Sequence, residues 1–316
     1  IQEYEKKSAN TQQSTAKQYP NIITVVNETF ADIKVLGDFK TNEDYMPYFH
    51  SLKKNCVTGY TYASIVGGQT ANTEFELLTG NTLGFLSAGT TAFQLYIHGQ
   101  MPSLVSNLKA EGYSGNKAMH PFNPYNYNRP AVYKDFGFTD FIDKFDFPKN
   151  VKRVREYISD EANVDRIISE YEKNRKKTDQ PFYMYNMTIQ NHSPYDKDAA
   201  NFKQPIKIES SKYDAEANRY LNLIKYSDDS LKQLTSYFEK CKEPTIILFL
   251  GDHQPRLTDE FMNKITNGQY QTWSSEQMMK RYQVPFVIWA NYDIKEQHIE
   301  KTSMNYMQSI LTQTAG

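Results

Sequence analysis

The chain has 316 residues, of which 39% are hydrophobic and 23% are charged, so it can bury a large core and wholesale disorder is excluded. Its 36 basic and 37 acidic residues give a formal net charge of −1, which argues against a dedicated nucleic-acid-binding protein. No run of the sequence approaches the roughly 18 consecutive apolar residues of a membrane span.

Residues 1–18 are polar and charged, a composition typical of a linker. The sequence begins at Ile1 rather than at Met, so we expect it to be a fragment of a longer protein. Residues 19–316 show neither an internal repeat nor a Gly/Pro-rich hinge and are predicted to form a single domain. Cys56 and Cys241 are the only cysteines, too few for a disulfide framework or a cysteine-rich zinc site.

Four short runs rich in branched and aromatic apolar residues predict buried strands. They lie at 22–26, 182–189, 245–250 and 284–290. The first three lead directly into polar residues, as strands that end in a loop do. Pro285, near the start of the fourth run, is tolerated at a sheet edge or at a strand end.

Amphipathic helical patterns lie between these runs. One buried stripe, with steps of four and three residues, consists of Tyr220, Ile224, Ser227, Leu231, Leu234 and Phe238. A second helical stripe consists of Val164, Ile167, Ile168 and Tyr171. Ser103 is predicted to cap a third helix, and Asp228 and Asp229 are predicted to lie on a solvated helix face. The alternation of strands and helices predicts an α/β fold with a mostly parallel central sheet.

Metal-type ligands follow three of the four predicted strands. Glu28 follows the first, His192 the second, and the adjacent Asp252 and His253 the third. Because the carboxyl ends of parallel strands meet at one edge of a sheet, we expect these side chains to lie close together. Carboxylates and imidazoles suit a divalent ion such as manganese or zinc, although each residue alone is also compatible with a helix cap or a loop.

A candidate nucleophile stands at a loop-to-helix junction. Gly67 and Gly68 allow a close backbone approach before an apolar helix that is predicted to begin at Thr70. The positive end of the helix dipole would favour an anion there, either a phosphate or the Thr70 alkoxide. The alternative is that Thr70 only caps the helix, but a capping box prefers Glu or Gln at the position that Thr73 occupies.

Five segments, taken in order, resemble the lipoteichoic acid synthase family. They are NETF at 27–30, GQTANTEF at 68–75, NHSPY at 191–195, YSDDS at 226–230 and GDH at 251–253. These enzymes are phosphoglycerol transferases of the alkaline-phosphatase/sulfatase superfamily, and the resemblance extends from about residue 20 to about residue 295. It implies a sulfatase-like α/β fold with helices on both faces of the sheet, and it makes residues 19–316 a catalytic domain.

The resemblance also implies a set of site residues. The metal ligands would be Glu28, Thr70, Asp252 and His253, with Mn²⁺ the ion typical of relatives, and Thr70 would also be the nucleophile. The substrate pocket would be formed by His120, Asn126, Tyr127, Arg129 and His192. Two features depart from the family pattern. Tyr127 stands where Trp is usual, and the segment 254–257 (QPRL) lacks a small hydroxyl residue after the Asp-His pair.

The implied reaction moves glycerol phosphate from phosphatidylglycerol to a cell-envelope acceptor through a glycerophospho-threonine intermediate. His192 or His120 would carry the proton, since either imidazole could titrate near neutrality. The acceptor is left open between a polyglycerol-phosphate chain, a glycolipid primer and a wall polysaccharide, the last being used by streptococcal-type relatives. In this family a membrane-embedded part precedes the catalytic domain, so we expect the chain at the extracellular face of a Gram-positive-type cell membrane.

Four other functions compete with this one. A sulfatase needs Cys or Ser in a Cys/Ser-x-Pro-x-Arg context, which neither cysteine of the chain provides. A two-metal phosphomonoesterase needs a second set of Asp and His ligands, which the sequence does not suggest. A phosphodiester hydrolase of the same superfamily and a catalytically silent surface-binding domain remain as alternatives, and Arg129 has the alternative interpretation of a surface arginine.

Overall fold

The computed structural model describes residues 19–268 and 272–316, so the predicted linker at 1–18 lies outside the described residues. In chain order the strands are β1 (Asn21–Asn27), β2 (Cys56–Tyr62), β3 (Ser114–His120), β4 (Asp140–Asp143), β5 (Arg153–Val154), β6 (Tyr157–Ile158), β7 (Phe182–Met187), β8 (Thr245–Gly251), β9 (Gln283–Ala290) and β10 (Gln297–Ser303). Within the described ranges, β5 and β6 form a small hairpin and the other eight strands form one sheet.

The sheet has the strand order β10-β2-β9-β8-β1-β7-β3-β4. Every neighbouring pair is parallel except the two pairs that involve β9, so the mostly parallel sheet predicted from the sequence is confirmed. The four predicted strands correspond to β1, β7, β8 and β9. Strand β9 lies inside the sheet, and Pro285 is accommodated because it stands one residue beyond the last pair with β8, Leu250 with Phe286.

Helices cover both faces of the sheet. The α-helices are α1 (Pro47–Ser51), α2 (Thr70–Thr79), α3 (Ala92–Leu95), α4 (Leu104–Ala110), α5 (Arg129–Phe136), α6 (Asp160–Arg175), α7 (Ala215–Phe238), α8 (Asp259–Thr266), α9 (Ser275–Met279) and α10 (Met307–Ala315). Single 3₁₀ turns lie at Ile33–Val35, Leu83–Phe85, Asn126–Asn128, Lys144–Asp146, Ser210–Lys212, Lys280–Tyr282 and Met304–Tyr306.

Alternate residues of the central strands belong to two separate apolar cores. Ile23 and Val25 of β1 pack in the core that α6 and α7 cover. Ile22 and Val26 pack in the opposite core, which contains residues of α2, α4, α5 and α10. This alternation explains why the central strands consist almost entirely of apolar residues, because both of their faces are buried. None of the described helices combines the length and the hydropathy that crossing a bilayer requires.

The predicted helices are confirmed, with one correction on α7. Ser103 caps α4 through a reciprocal hydrogen bond with Ser106. Asp229 is exposed, as expected, but Asp228 is buried and was wrongly placed on the solvated face. Its carboxylate accepts hydrogen bonds from the backbone N–H groups of Tyr48, at 2.9 Å, and Phe49, at 2.7 Å. Asp228 therefore joins α1, which packs on this part of α7, to the long helix.

Gly251, the last residue of β8, permits a close crossing of two chain segments. A Cβ atom at this position would lie 1.9 Å from the carbonyl oxygen of Phe30, far closer than real Cβ atoms come to backbone. The absence of a side chain therefore allows the loop that follows β1 to pass directly over the end of β8. That crossing holds the residues after both strands next to one another.

We predict that Gly251→Ala lowers the free energy of unfolding by about 2 kcal/mol or more, because a backbone atom rather than a flexible side chain must move. Urea unfolding followed by circular dichroism measures this loss. Gly99→Ala is the matched control, since a Cβ atom there meets nothing within 4 Å. Equal stability of the two variants would contradict the proposed role of the crossing.

Candidate active site

The carboxyl ends of β1, β7 and β8 lie side by side, and the loops that follow them form the candidate site. Asn27 of β1 pairs with Gly251 of β8, so the next residues, Glu28 and Asp252, emerge together. Strand β7 flanks β1 on its other side and leads to His192. The side chains predicted from three separate strand ends are thus brought to one place by the register of the sheet.

Glu28, Asp252 and His253 form a buried cluster. One donor atom from each residue lies within 4.8 Å of the other two, and this cluster has the composition of a metal site. The His253 Nε2 atom lies 3.2 Å from Asp252 Oδ2 and 3.9 Å from Glu28 Oε1. Burial and the neighbouring Asp252 carboxylate raise the pKa of the Glu28 carboxyl well above its ordinary value.

The hydrogen bonds of His253 show that the cluster fits a divalent ion. Its Nδ1 atom lies 3.0 Å from the carbonyl oxygen of Gln254, to which it donates, so the neutral ring carries a lone pair on Nε2. Within the described part of the chain, this buried Nε2 has no hydrogen-bond partner, and it faces carboxyl oxygens of Asp252 and Glu28. An imidazole nitrogen and two carboxyl groups suit a cation such as Mn²⁺ or Zn²⁺, whose charge would favour the ionised form of both carboxyl groups.

Thr70 lies directly beside this cluster. Helix α2 begins at Thr70, as the sequence predicts, and the preceding Gln69 has a left-handed φ of 65°. The Thr70 hydroxyl donates to Asp252 Oδ2 at 2.8 Å, while the Thr73 hydroxyl donates to the Asp252 carbonyl at 2.8 Å. The first turn of α2 is therefore fixed to the end of β8. The alternative that Thr70 only caps the helix is wrong, because the N-cap residue is Gln69 and the Thr70 hydroxyl donates to Asp252.

A pocket of about 340 Å³ opens over Thr70 and contains every predicted site residue except Asp252, which lies beneath it. The predicted residues in its lining are Glu28, Thr70, His120, Asn126, Tyr127, Arg129, His192 and His253. Gln94, Phe122 and Arg256 also line it, so the QPRL departure from the family pattern adds an exposed arginine to the pocket. The structure thus brings together residues that are up to 225 positions apart, as in the Glu28–His253 pair.

Arg129 is buried and rigidly held, so the alternative interpretation of a surface arginine is wrong. Its guanidinium donates twice to one carboxylate oxygen of Glu74, from Nη2 at 2.6 Å and from Nε at 3.1 Å. The other oxygen of Glu74 accepts from the hydroxyl groups of Tyr133 and Tyr185. Glu74 and Tyr133 raise the pKa of Arg129 further, against the effect of burial, so the guanidinium stays charged.

Glu74 was not predicted to have a role. The sequence signal for such a role is that Glu74 lies four positions after Thr70, inside a helix whose other residues are almost all uncharged. Because the carboxylate is fully buried, it has to be neutralised by a partner, and that partner is Arg129. The same helix therefore carries the candidate nucleophile and the group that orients the candidate phosphate ligand.

His120 and His192 are anchored in the same way as His253. The Nδ1 atom of His120 lies 3.0 Å from the carbonyl oxygen of Met187, and that of His192 lies 2.6 Å from the carbonyl oxygen of Ser193. Among residues 19–268 and 272–316, no hydrogen bond is found for the Nε2 atom of either ring, so this atom is left for a ligand. Burial, and secondarily the charge of Arg129, holds the pKa of His120 well below its usual range. His120 is therefore neutral near pH 7 and does not titrate there, contrary to the expectation from the sequence.

The turn that carries Asn126 and Tyr127 is held over Arg129. Tyr127 and Asn128 both have left-handed φ angles, 59° and 57°, which turn the chain sharply into α5. The centre of the Tyr127 ring lies 5.1 Å from the Arg129 guanidinium carbon, and the Asn126 carbonyl lies 3.4 Å from Arg129 Nη1. The tyrosine in place of the usual tryptophan thus forms a cation–π contact with the arginine it covers.

Arg155, at the tip of the β5–β6 hairpin, was also missed. Its guanidinium donates to three carbonyl oxygens of the His192 loop, those of Gln190 at 2.9 Å, His192 at 2.7 Å and Pro194 at 2.7 Å. The Arg155 side chain therefore fixes the loop that carries His192. The hairpin strands have two residues each, too few for any periodic pattern in the sequence.

Below the pocket, a buried polar network joins the strand ends to the helices. The Asn191 amide nitrogen lies 3.0 Å from the Glu28 carbonyl oxygen and 2.8 Å from Ser227 Oγ of α7. Ser227 in turn donates to the buried carboxylate of Asp160, the first residue of α6. This network explains the serine in the apolar stripe of α7, and it fixes the backbone from which Glu28 projects.

Comparisons with known proteins agree with the α/β fold described above. The family described as Sulfatase matches residues 20–316. The chain is 32% identical over 311 residues to a Rhizobium meliloti (strain 1021) protein named for cyclic β-1,2-glucan modification, a match that covers 96% of this chain and 47% of the relative. The chain thus spans about half the length, or less, of the curated relatives it matches.

Two solved structures share the fold at low sequence identity. One is the phosphoglycerol transferase GacH of Streptococcus pyogenes in complex with sn-glycerol-1-phosphate, with a TM-score of 0.80, 20% identity, and coverage of 99% of this chain and 80% of that one. The other is the lipoteichoic acid synthase LtaP of Listeria monocytogenes, with a TM-score of 0.75, 22% identity, and coverage of 95% and 73%. Because the family match extends over residues 20–316, the chain belongs to the sulfatase family, and its predicted fold is confirmed.

Proposed function

We propose that this domain is a phosphoglycerol transferase that moves glycerol phosphate from phosphatidylglycerol to a cell-envelope acceptor through a covalent Thr70 intermediate. One observation carries the proposal. The Thr70 hydroxyl, bonded to Asp252 at 2.8 Å, faces the same pocket as the buried cation Arg129. A hydroxyl nucleophile beside a fixed phosphate ligand is the arrangement that phosphoryl transfer needs. The fold shared with GacH and LtaP supports this reaction class.

Arg129 and His120 would orient the phosphodiester of the donor. Arg129 stays charged, and among the described residues its Nη1 atom makes only the long 3.4 Å contact with the Asn126 carbonyl. This nitrogen can therefore donate to a phosphate oxygen. His120 would accept a hydrogen bond at Nε2 from a glycerol hydroxyl, because its ring is neutral and its Nδ1 proton is engaged. The donor would thus be bound by its headgroup.

Glu28, Thr70, Asp252 and His253 would hold a divalent ion, which we propose to be Mn²⁺. When bound, such an ion lowers the pKa of a coordinated hydroxyl and polarises a phosphate. The support for this set is the buried His253 Nε2, which has no hydrogen-bond partner among the described residues, together with the two carboxylates it faces.

The reaction would proceed in two displacements. The Thr70 oxygen forms a bond to the donor phosphorus while the bond from phosphorus to the diacylglycerol oxygen breaks. The proton that the Thr70 hydroxyl loses is transferred to the diacylglycerol oxygen, so diacylglycerol leaves as the alcohol. An acceptor hydroxyl then attacks the same phosphorus, and Thr70 leaves and regains a proton. We assign the proton of the acceptor hydroxyl to His192 rather than to His120, since the pKa of His120 is too low for a base near neutrality.

The acceptor is proposed to be a polysaccharide or a polyglycerol-phosphate chain. The name of the Rhizobium meliloti relative refers to a glucan, which supports a carbohydrate hydroxyl. The donor is a membrane lipid, so we place the reaction at the outer face of the cell membrane, with a further part of the protein as the membrane anchor. A hydrolase that uses water in the second step is the competing function, and product analysis separates the two.

Thr70→Ala is expected to abolish transfer without unfolding the chain, because it removes one hydroxyl and one methyl group while Thr73 still ties the first turn of α2 to Asp252. The test is peptide mass spectrometry after incubation with short-chain phosphatidylglycerol and Mn²⁺. We expect a glycerophosphate adduct on the Thr70 peptide that requires the ion. Thr79→Ala, at the far end of the same helix, is the matched control and should keep the adduct.

The outcomes of this experiment separate the possible mechanisms. An unchanged rate of transfer in Thr70→Ala would contradict the assignment of the nucleophile. Diacylglycerol released without any acceptor product would indicate hydrolysis. Neither adduct nor release in the native chain, despite bound ion, would indicate another donor or a silent binding domain.

Mn²⁺ is expected to raise the melting temperature of the native chain, because an ion that binds only the folded state stabilises it. The gain is about 2.7 kcal/mol at an ion concentration 100 times the dissociation constant. Asp252→Asn should remove most of the gain, whereas Asp229→Asn, on the exposed face of α7, should keep it. Thermal unfolding with and without Mn²⁺ measures the effect. The same gain in both variants would rule out this ligand set.

A further inference from the structure

Several large apolar side chains project into solvent around the mouth of the pocket. Among the described residues, eight large hydrophobic side chains are exposed, and four of them belong to segments that border the pocket. We call these four the rim: Leu95, Tyr96, Tyr125 and Phe145, with exposed fractions of 59%, 51%, 78% and 72%. Exposed apolar groups that collect around one opening indicate a contact surface.

The rim residues lie close to the pocket, three of them along the chain and one through a neighbouring side chain. Leu95 and Tyr96 follow Gln94, and Tyr125 precedes Asn126. Phe145 is linked to the pocket through Lys144, whose Nζ lies 5.0 Å from the centre of the Phe145 ring and 5.8 Å from that of Phe122. Helix α3 also contacts the turn Asn126–Asn128, so the first three rim residues belong to neighbouring segments.

The rim side chains point into solvent because residues next to them in the sequence are anchored in the core or in a turn. Phe93 packs edge-on against Tyr133 and Phe136, and Ile97 is buried on the other side of Leu95 and Tyr96. The turn that carries Phe145 is fixed by a hydrogen bond from the Phe145 N–H to Asp143 Oδ1 at 2.7 Å. The exposure of these side chains is therefore built into the fold and is not the result of a loose loop.

We propose that the rim inserts into the headgroup region of a phosphatidylglycerol bilayer and so places the pocket over its donor. This inference rests on the proposed function, which makes the donor a membrane lipid. Tyrosine and phenylalanine side chains are favoured at the interface between headgroups and acyl chains. Lys144 beside Phe145, and Arg256 at the pocket, add the positive charge that an anionic lipid surface attracts.

The geometry favours a bilayer over a protein partner. A protein that covered the rim would also cover the pocket mouth, because two rim segments adjoin the pocket residues Gln94 and Asn126 and the third reaches Phe122 through Lys144. A lipid bilayer presents its phosphate groups in the headgroup region. The same bilayer can therefore contact the rim and supply a headgroup to the pocket. The headgroup of the donor can then enter the pocket while its acyl chains stay in the membrane.

The test compares two triple variants of the chain in vesicle binding. The rim variant is Leu95→Ser/Tyr125→Ser/Phe145→Ser, and none of these residues belongs to the proposed catalytic or binding machinery. The control variant is Tyr213→Ser/Met279→Ser/Tyr306→Ser, which removes two exposed aromatic side chains and one aliphatic side chain that do not line the pocket. Binding is measured by co-sedimentation with phosphatidylcholine vesicles that contain or lack phosphatidylglycerol, after circular dichroism has shown that both variants fold.

We expect the rim variant to bind phosphatidylglycerol vesicles about tenfold more weakly than the native chain, and the control variant to bind normally. Release of diacylglycerol from vesicles should fall in parallel, while turnover of short-chain phosphatidylglycerol below its micelle concentration should not change. Equal vesicle binding by the native chain and the rim variant, or an equal loss in the control variant, would overturn the proposal.

The assay also separates this proposal from the proposed function. Rim-dependent vesicle binding without turnover of either form of phosphatidylglycerol would support the membrane contact and reject the donor. Turnover of both forms at native rates by the rim variant, with unchanged vesicle binding, would reject the membrane contact and support the donor.

Discussion

Two carboxylates, Glu28 and Asp252, are buried within a few ångströms of each other, and the structure around them is arranged to hold this unfavourable pair. The backbone N–H groups of Thr29 and His253 donate to Asp252 Oδ1 at 2.6 and 2.9 Å, and the Thr29 hydroxyl donates to Glu28 at 2.8 Å. These hydrogen bonds reduce the repulsion but add no positive charge. The burial of apolar side chains in the two cores therefore has to offset the unfavourable free energy of this pair of carboxyl groups. A bound cation would make the pair favourable for folding.

The positive groups around the pocket are held in two different ways. Arg129 is paired with Glu74, so the pair has no net charge and supplies oriented N–H donors to the pocket. Arg155 is held by three backbone carbonyls, and among the described residues no ion pair of it with a carboxylate is found. Its charge consequently adds to the positive potential beneath the His192 loop. The oriented N–H donors of Arg129 and the charge of Arg155 together favour an anion at the pocket, while the formal net charge of the whole chain is only −1.

The central part of the fold was predictable because its pattern is local. The strands β1, β7 and β8 are continuous apolar runs, and the polar residues after them must meet when the strands are parallel neighbours. That reasoning was enough to bring Glu28, His192, Asp252 and His253 together. The edge strand β10 and the strands β2, β3 and β4 were missed, since sequences such as QHIEKTS at 297–303 have neither alternation nor an apolar run.

The predictions failed for some residues because the partners that determine their roles are distant in sequence. Glu74 is recognisable as functional only once Arg129, 55 positions away, is known to meet it. Asp228 looked solvated because the helix it caps, α1, has five residues and no periodicity. His120 looked like a group that titrates near neutrality because sequence does not show how deeply a ring is buried.

The burial of His120 has a consequence for the environment in which the domain works. An exposed imidazole in the pocket would gain a proton whenever its surroundings became mildly acidic, and the attraction for a phosphate would change with it. Burial and the permanent charge of Arg129 both oppose protonation of His120 and lower its pKa. The charge of this part of the pocket therefore varies less with the acidity of the medium than an exposed imidazole would allow, because water is excluded from the ring.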